Sequence, residues 1–331
     1  MVEMTRLLLD SAAPPPYRHP PLDADQQRVV AHRRGALRVL AGPGTGKTTT
    51  LVAAMSSRLM GEDPLPASQV LGLTFGRRAA LHWRDQVTRA TGGGQVPLVS
   101  TFHSFCYGLV RRFASADDYQ SALRLLSGPE QQVRAKLLFE EAVAAGRVSW
   151  PAELAEAVGT SGMIEEIRAV MARTRSHAMD PSDLSLLAQE EGNPLWRSVA
   201  QFMDEYLTVM DFAGVLDYSE LIYRALILAQ EPEVQRYLHS TFRAIYVDEY
   251  QDTDPGQILL LKAMVTAESS LVVVGDFDQA IYGFRGADEA AIQNFREDFQ
   301  GIFGDQIDDV VLGTCRRFGS SIRRAAELVI A

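Results

Sequence analysis

Short apolar runs at 39–40, 70–75, 96–101, 244–249, 270–276 and 309–313 have the length and composition of buried strands. Between the first of them lie amphipathic stretches at 23–31, 47–60, 77–91 and 103–114, the first opened by Asp23 as an N-cap. Strand followed by helix, repeated, predicts a parallel α/β sheet. From about 115 to 214 the period changes. Stretches 130–145, 161–176 and 194–212 carry apolar residues at i, i+3, i+4 spacing with no strand between them, which predicts an all-helical insertion. The strands then return, and the last run, with a helix to 331, is too short for a domain and reads as the first unit of another. The predicted layout is an extended Pro-rich arm (1–21), one sheet domain from 22–114 and 215–304, a helical insertion (115–214), and the beginning of a second sheet domain (305–331).

Composition narrows the function. At 331 residues and 47% hydrophobic the chain has material for two cores. Its net charge of −10 supplies no overall attraction to nucleic acid, so any such site has to be a local groove. The two cysteines, Cys106 and Cys315, fit a reducing compartment and are too few for a four-cysteine iron–sulfur cluster. No run approaches the roughly 18 apolar residues of a membrane span. The single apolar run near the start, 7–9, sits between Glu3 and Asp10 and lacks the pattern of a secretory leader. A cytoplasmic, nucleoid-associated protein without a membrane partner is expected.

The chemistry starts at 38–49. A strand runs into Ala41, Gly42, Pro43, Gly44, Thr45 and Gly46, and Lys47, Thr48 and Thr49 open a helix. The glycines let the backbone N–H groups curl toward a phosphate, and the helix N-terminus adds partial positive charge there. Lys47 is placed for the β- and γ-phosphates of a nucleoside triphosphate and the Thr48 hydroxyl for Mg²⁺. Ala41 stands where the strict pattern has glycine, a mild departure. A second apolar strand ends in Asp248 and Glu249. Asp248 fits the second Mg²⁺-holding position, and Glu249 fits the base that polarises water.

Asp248-Glu-Tyr-Gln-Asp-Thr-Asp resembles the second motif of superfamily 1 DNA helicases of the UvrD/Rep/PcrA type. Six more stretches resemble that family in order and spacing: 22–27, 41–48, 73–80, 100–106, 274–288 and 311–322. The resemblance implies a P-loop, RecA-like parallel-sheet domain interrupted by the helical insertion, with a second RecA-like domain starting near 305. It implies a 3′→5′ translocase or helicase on single-stranded DNA and ss/ds junctions, acting in repair or recombination, with protein partners in a repair complex. ATP and Mg²⁺ are the implied cofactors.

Roles follow by matched position. Gln26 would read the adenine edge, Gln279 sense the γ-phosphate, and Arg317 contact it. Phe75, Tyr282 and Phe284 would stack on bases, with Thr74, Arg77, Thr101, His103 and Arg285 near the DNA. Departures fall mainly at Cys315-Arg316-Arg317, where relatives have Asn-Tyr-Arg; Arg316 then stands where a tyrosine would stack on adenine. A non-catalytic scaffold subunit of the same fold is the alternative, and intact Lys47, Asp248 and Glu249 weigh against it.

Overall fold

The computed structural model describes residues 20–94, 96–114, 123–281, 283, 287–288, 290–319, 321–322 and 324. Its first part runs α1 (Ala24–Ala31), β1 (Gly35–Ala41), α2 (Lys47–Met60), β2 (Val70–Thr74), α3 (Arg77–Ala90), β3 (Leu98–Thr101) and α4 (Phe102–Phe113). A second part follows: β4 (Arg124–Leu125), α5 (Gly128–Ala144), α6 (Ser161–Ser176), α7 (Pro181–Glu190), α8 (Pro194–Phe212) and β5 (Val215–Leu216). The chain closes with α9 (Tyr218–Gln230), α10 (Pro232–Thr241), β6 (Ala244–Val247), α11 (Pro255–Met264), β7 (Ser270–Gly275), α12 (Ala291–Phe303) and β8 (Ile307–Leu312).

Six strands make one parallel sheet in the order β3-β2-β6-β7-β1-β8. Both faces are covered, which is why its central strands read as continuous apolar runs. Along β6 and β7, Ile245, Val247, Leu271 and Val273 enter one core, while Ala244, Tyr246, Val272 and Val274 enter the other. The parallel arrangement brings all six strand C-termini to one edge, the usual place for a ligand site in such sheets.

The insertion has its own core, built on Phe139, Ile164, Phe202 and Tyr206, with the Phe139 ring 4.7 Å from Trp150 and 5.1 Å from Phe202. It is not wholly helical. β4 and β5 pair in parallel at its neck, Arg124 opposite Val215 and Leu125 opposite Leu216. Helix α7 lies between the stretches whose period predicts helices; Asp180 and Asp183 form a capping box around Pro181 that marks its start.

The predicted boundary at 305 needs correcting. Ile307–Leu312 lies in register beside β1, from Ala36 opposite Ile307 to Ala41 opposite Leu312, so it completes the first sheet. Ile307 packs into the core on one face of the sheet and Val310 and Leu312 into the core on the other, while Asp308 and Val311 are exposed, as on an edge strand. The expected Pro-rich arm lies, for residues 1–19, outside the described residues.

Candidate nucleotide site and its neighbours

β1 ends at Ala41, and the chain turns through Gly44 and Gly46, whose φ values are +75° and +93°. Both are left-handed, where a side chain is strained. At Gly46 space is also short: a Cβ would sit 2.9 Å from Gln26 Nε2. Thr45 tightens the turn by donating from Oγ1 to the Gly42 carbonyl at 2.8 Å. Helix α2 then begins at Lys47 with Gly46 as its N-cap and no side chain capping it, so its first N–H groups remain for a ligand.

Asp248 and Glu249 follow β6, two strands away from β1 in the sheet. Asp248 N donates to the Leu73 carbonyl at 2.9 Å, tying the strand end to β2. Glu249 has φ +53°, a left-handed conformation that costs a non-glycine residue about 1–3 kcal/mol and gathers at functional sites. The bend brings its carboxylate to the P-loop: Lys47 Nζ lies 3.2 Å from Glu249 Oε2. Gln251 Nε2 donates to the same oxygen at 2.9 Å, and Gln251 Oε1 accepts from Asp276 N at 3.0 Å. Gln279 Nε2 in turn donates to Asp276 Oδ2. Lys47, Glu249, Gln251, Asp276 and Gln279 therefore form one hydrogen-bonded chain across the ends of β1, β6 and β7.

The donor set fits a nucleoside triphosphate with a divalent cation. The cradle admits no Cβ at Gly44 or Gly46, and its lysine faces a carboxylate that phosphate oxygens can replace. Among the described residues, no group of three or more His, Cys, Asp or Glu is placed to hold a metal by itself. Burial, and then the charge of Glu249, push the Asp248 carboxyl up to about 7 against the pull of Lys47. A cation at that carboxylate reverses the effect.

A family model described as the UvrD/REP helicase N-terminal domain matches residues 22–300. The chain belongs to the UvrD/Rep helicase family. Three similar relatives carry the name ATP-dependent DNA helicase. UvrD1 of Mycobacterium leprae is 30% identical over 94% of this chain and 39% of its own length. UvrD1 of Mycobacterium tuberculosis is 29% identical, and PcrA of Staphylococcus aureus 30%, each over 84% of this chain and 36% of the relative. The chain thus spans little more than a third of these curated relatives.

In this member of the family, Thr74, Phe75, Arg77 and Thr101, four of the residues expected to face DNA, lie at the same sheet edge. Thr74 and Thr101 end β2 and β3 opposite each other in register. Phe75 is 39% exposed, and Arg77 is exposed at the start of α3. The Thr74 hydroxyl is buried without a hydrogen-bond partner among the described residues. Thr101 is buried, and its hydroxyl caps α4 by accepting from Ser104 N at 3.1 Å. His103 stands edge-on to Tyr218 with ring centroids 5.0 Å apart, and burial plus the nearby Arg77 charge push it down to about 4. At neutral pH it is therefore an uncharged imidazole. Tyr282, Phe284 and Arg285 lie outside the described residues.

Gln26 lies against the P-loop. It is 2% exposed, and both ends of its amide are engaged: Oε1 accepts from Asp23 N at 3.1 Å, and Nε2 donates to Thr50 Oγ1 at 3.0 Å. Its Nε2 also reaches Thr45 O at 3.4 Å, so both amide hydrogens are committed, while Oε1 keeps one acceptor position open. Arg317 is exposed, and its Cβ is packed on Gly44. Sequence reasoning gave Gln251 and Asp276 no role, although Gln251 stands two residues after the catalytic candidate Glu249.

Proposed function

We propose that this chain is the N-terminal ATP-binding portion of a DNA translocase or helicase that moves 3′→5′ along single-stranded DNA and serves repair or recombination. Lys47 held on Glu249 at 3.2 Å across the P-loop is the observation that carries this reading. Bound Mg·ATP supplies a polarised γ-phosphate, held by the P-loop N–H groups, Lys47, Thr48 and Asp248. Lys47 then turns from Glu249 to phosphate and frees the carboxylate. Glu249, fixed by Gln251, accepts a proton from the attacking water at Oε2. Gln279, joined through Asp276 and Gln251 to Glu249, couples the phosphate end of the site to the segment carrying Tyr282 and Phe284.

Support for DNA as the partner is the exposed Phe75 beside Arg77 on the same edge, an aromatic platform next to positive charge. The relatives' names agree with it, and the 3′→5′ direction follows from the family resemblance. The intact protein is expected in the cytoplasm on the nucleoid, alongside repair partners. Strand displacement tests the reading. The intact protein should unwind a duplex with a 3′ single-stranded tail in the presence of Mg·ATP and leave a 5′-tailed one paired. Unwinding from the 5′ tail alone refutes the direction, and ATP-independent binding without any unwinding refutes the motor.

A further inference from the structure

The segment that leaves β8 crosses the outer side of the P-loop and binds it through three consecutive carbonyls. Cys315 Sγ donates to Pro43 O at 3.3 Å, Arg316 N to Gly44 O at 2.9 Å, and Arg316 Nη1 to Thr45 O at 3.3 Å. The packing is close enough that a Cβ on Gly44 would lie 2.5 Å from Arg317 Cβ and 3.0 Å from Cys315 Sγ. The other arm of the Arg316 guanidinium is anchored: Nη2 lies 2.7 Å from Asp23 Oδ2. Asp23 is itself the N-cap of α1, in a capping box with Gln26, whose Nε2 reaches Thr45 O from the other side at 3.4 Å.

A loop whose N–H groups must converge on one phosphate has to turn its carbonyls outward. Those carbonyls need donors, and water would serve many loop conformations equally well. Donors fixed on a neighbouring segment favour only one of them, which lowers the ordering cost of binding. We propose that residues 315–316 form a strap holding the P-loop in its phosphate-receiving form, with Arg316 as a positioning residue and Asp23 as its anchor. Arginine suits the task because its planar fork reaches Thr45 O and Asp23 at once, as a lysine ammonium cannot. The inference rests on the reading of 42–48 as a nucleotide site, and adds that the Arg-for-Tyr departure at 316 stabilises the phosphate-receiving form of the loop.

The competing account makes Arg316 a bare positive charge attracting polyphosphate. The two accounts differ at Asp23. Asp23→Asn keeps a good helix cap, since asparagine and aspartate cap equally well, but it releases the strap. The experiment is a titration of the intact protein with fluorescent analogues of ADP and ATP, for wild type, Arg316→Ala, Arg316→Lys, Asp23→Asn and, as a control, Lys47→Ala. The strap predicts that Arg316→Ala and Asp23→Asn each raise Kd by about tenfold for both nucleotides, with an unchanged melting temperature and partial rescue by Arg316→Lys. Unchanged or tighter binding by Asp23→Asn overturns the strap, because removing a negative charge near polyphosphate should help a bare cation. Wild-type binding by Lys47→Ala overturns the nucleotide reading itself, and the strap with it.

Discussion

Lys47 Nζ and Glu249 Oε2 are 3.2 Å apart, although 201 residues separate them in the chain and β7 lies between the strands that deliver them. Lys47 is mostly shielded (12% exposed) while Glu249 is 36% exposed, so the pair lies at the mouth of the site. Replacing the lysine removes a charged contact to phosphate, worth about 1.5–3 kcal/mol. Lys47→Ala is therefore expected to weaken ATP binding by about tenfold to a hundredfold, measured by equilibrium titration, without loss of fold.

Gln251 fixes the direction of the Glu249 carboxylate and accepts the buried Asp276 N–H. Gln251→Leu keeps the volume and removes both contacts. A displaced general base loses rate before it loses affinity, so kcat for ATP hydrolysis should fall by about tenfold to a hundredfold with little change in ATP affinity. Stopped-flow hydrolysis and nucleotide titration separate the two effects.

His103 gives a pH dependence whose sign is set by its burial. Unfolded, it takes up a proton near its ordinary value of 6.5; folded, it does so only near 4. Between those values the unfolded chain holds the extra proton, so this contribution to stability is present above about 6.5 and is lost as pH falls toward 4. Proton NMR of the ring should show the low titration midpoint. The acid slope of the melting temperature should flatten in His103→Asn.

The insertion is bound to the sheet domain by a buried ion pair. Arg175 Nε lies 2.7 Å from Glu220 Oε2, off the angle of a good hydrogen bond, and the same guanidinium covers the Tyr223 ring at 3.8 Å. Burial pushes the Glu220 carboxyl up despite two arginines, Arg175 and Arg224. Such a pair is costly to break from one side. Glu220→Ala should destabilise the protein by about 3–5 kcal/mol in denaturant titration, whereas a surface change such as Glu268→Ala should have little effect.

Local signals were legible in the sequence wherever the chemistry is local. Helix α2 spans Lys47–Met60, the span expected from the glycine turn before it and the apolar period within it. The insertion was visible because a helical period without strands persists for about a hundred residues. What the sequence could not display is pairing at a distance. The run at 309–313 looks the same whether it starts a new sheet or finishes an old one, and only its register with β1 decides. The contacts that hold Gln26, to Thr50 and Asp23, are also invisible in the sequence. The strap from Cys315 and Arg316 to three P-loop carbonyls is likewise a contact across more than 270 residues.

The P-loop and the β6 terminus together should hydrolyse ATP in response to DNA. Steady-state ATP hydrolysis by the intact protein, with and without single-stranded DNA, tests it most directly when run beside Glu249→Gln. The account predicts that DNA raises the wild-type rate many-fold. It also predicts that Glu249→Gln abolishes hydrolysis while still binding ATP. Hydrolysis by Glu249→Gln at the wild-type rate, or a wild type that binds DNA and hydrolyses nothing, contradicts it.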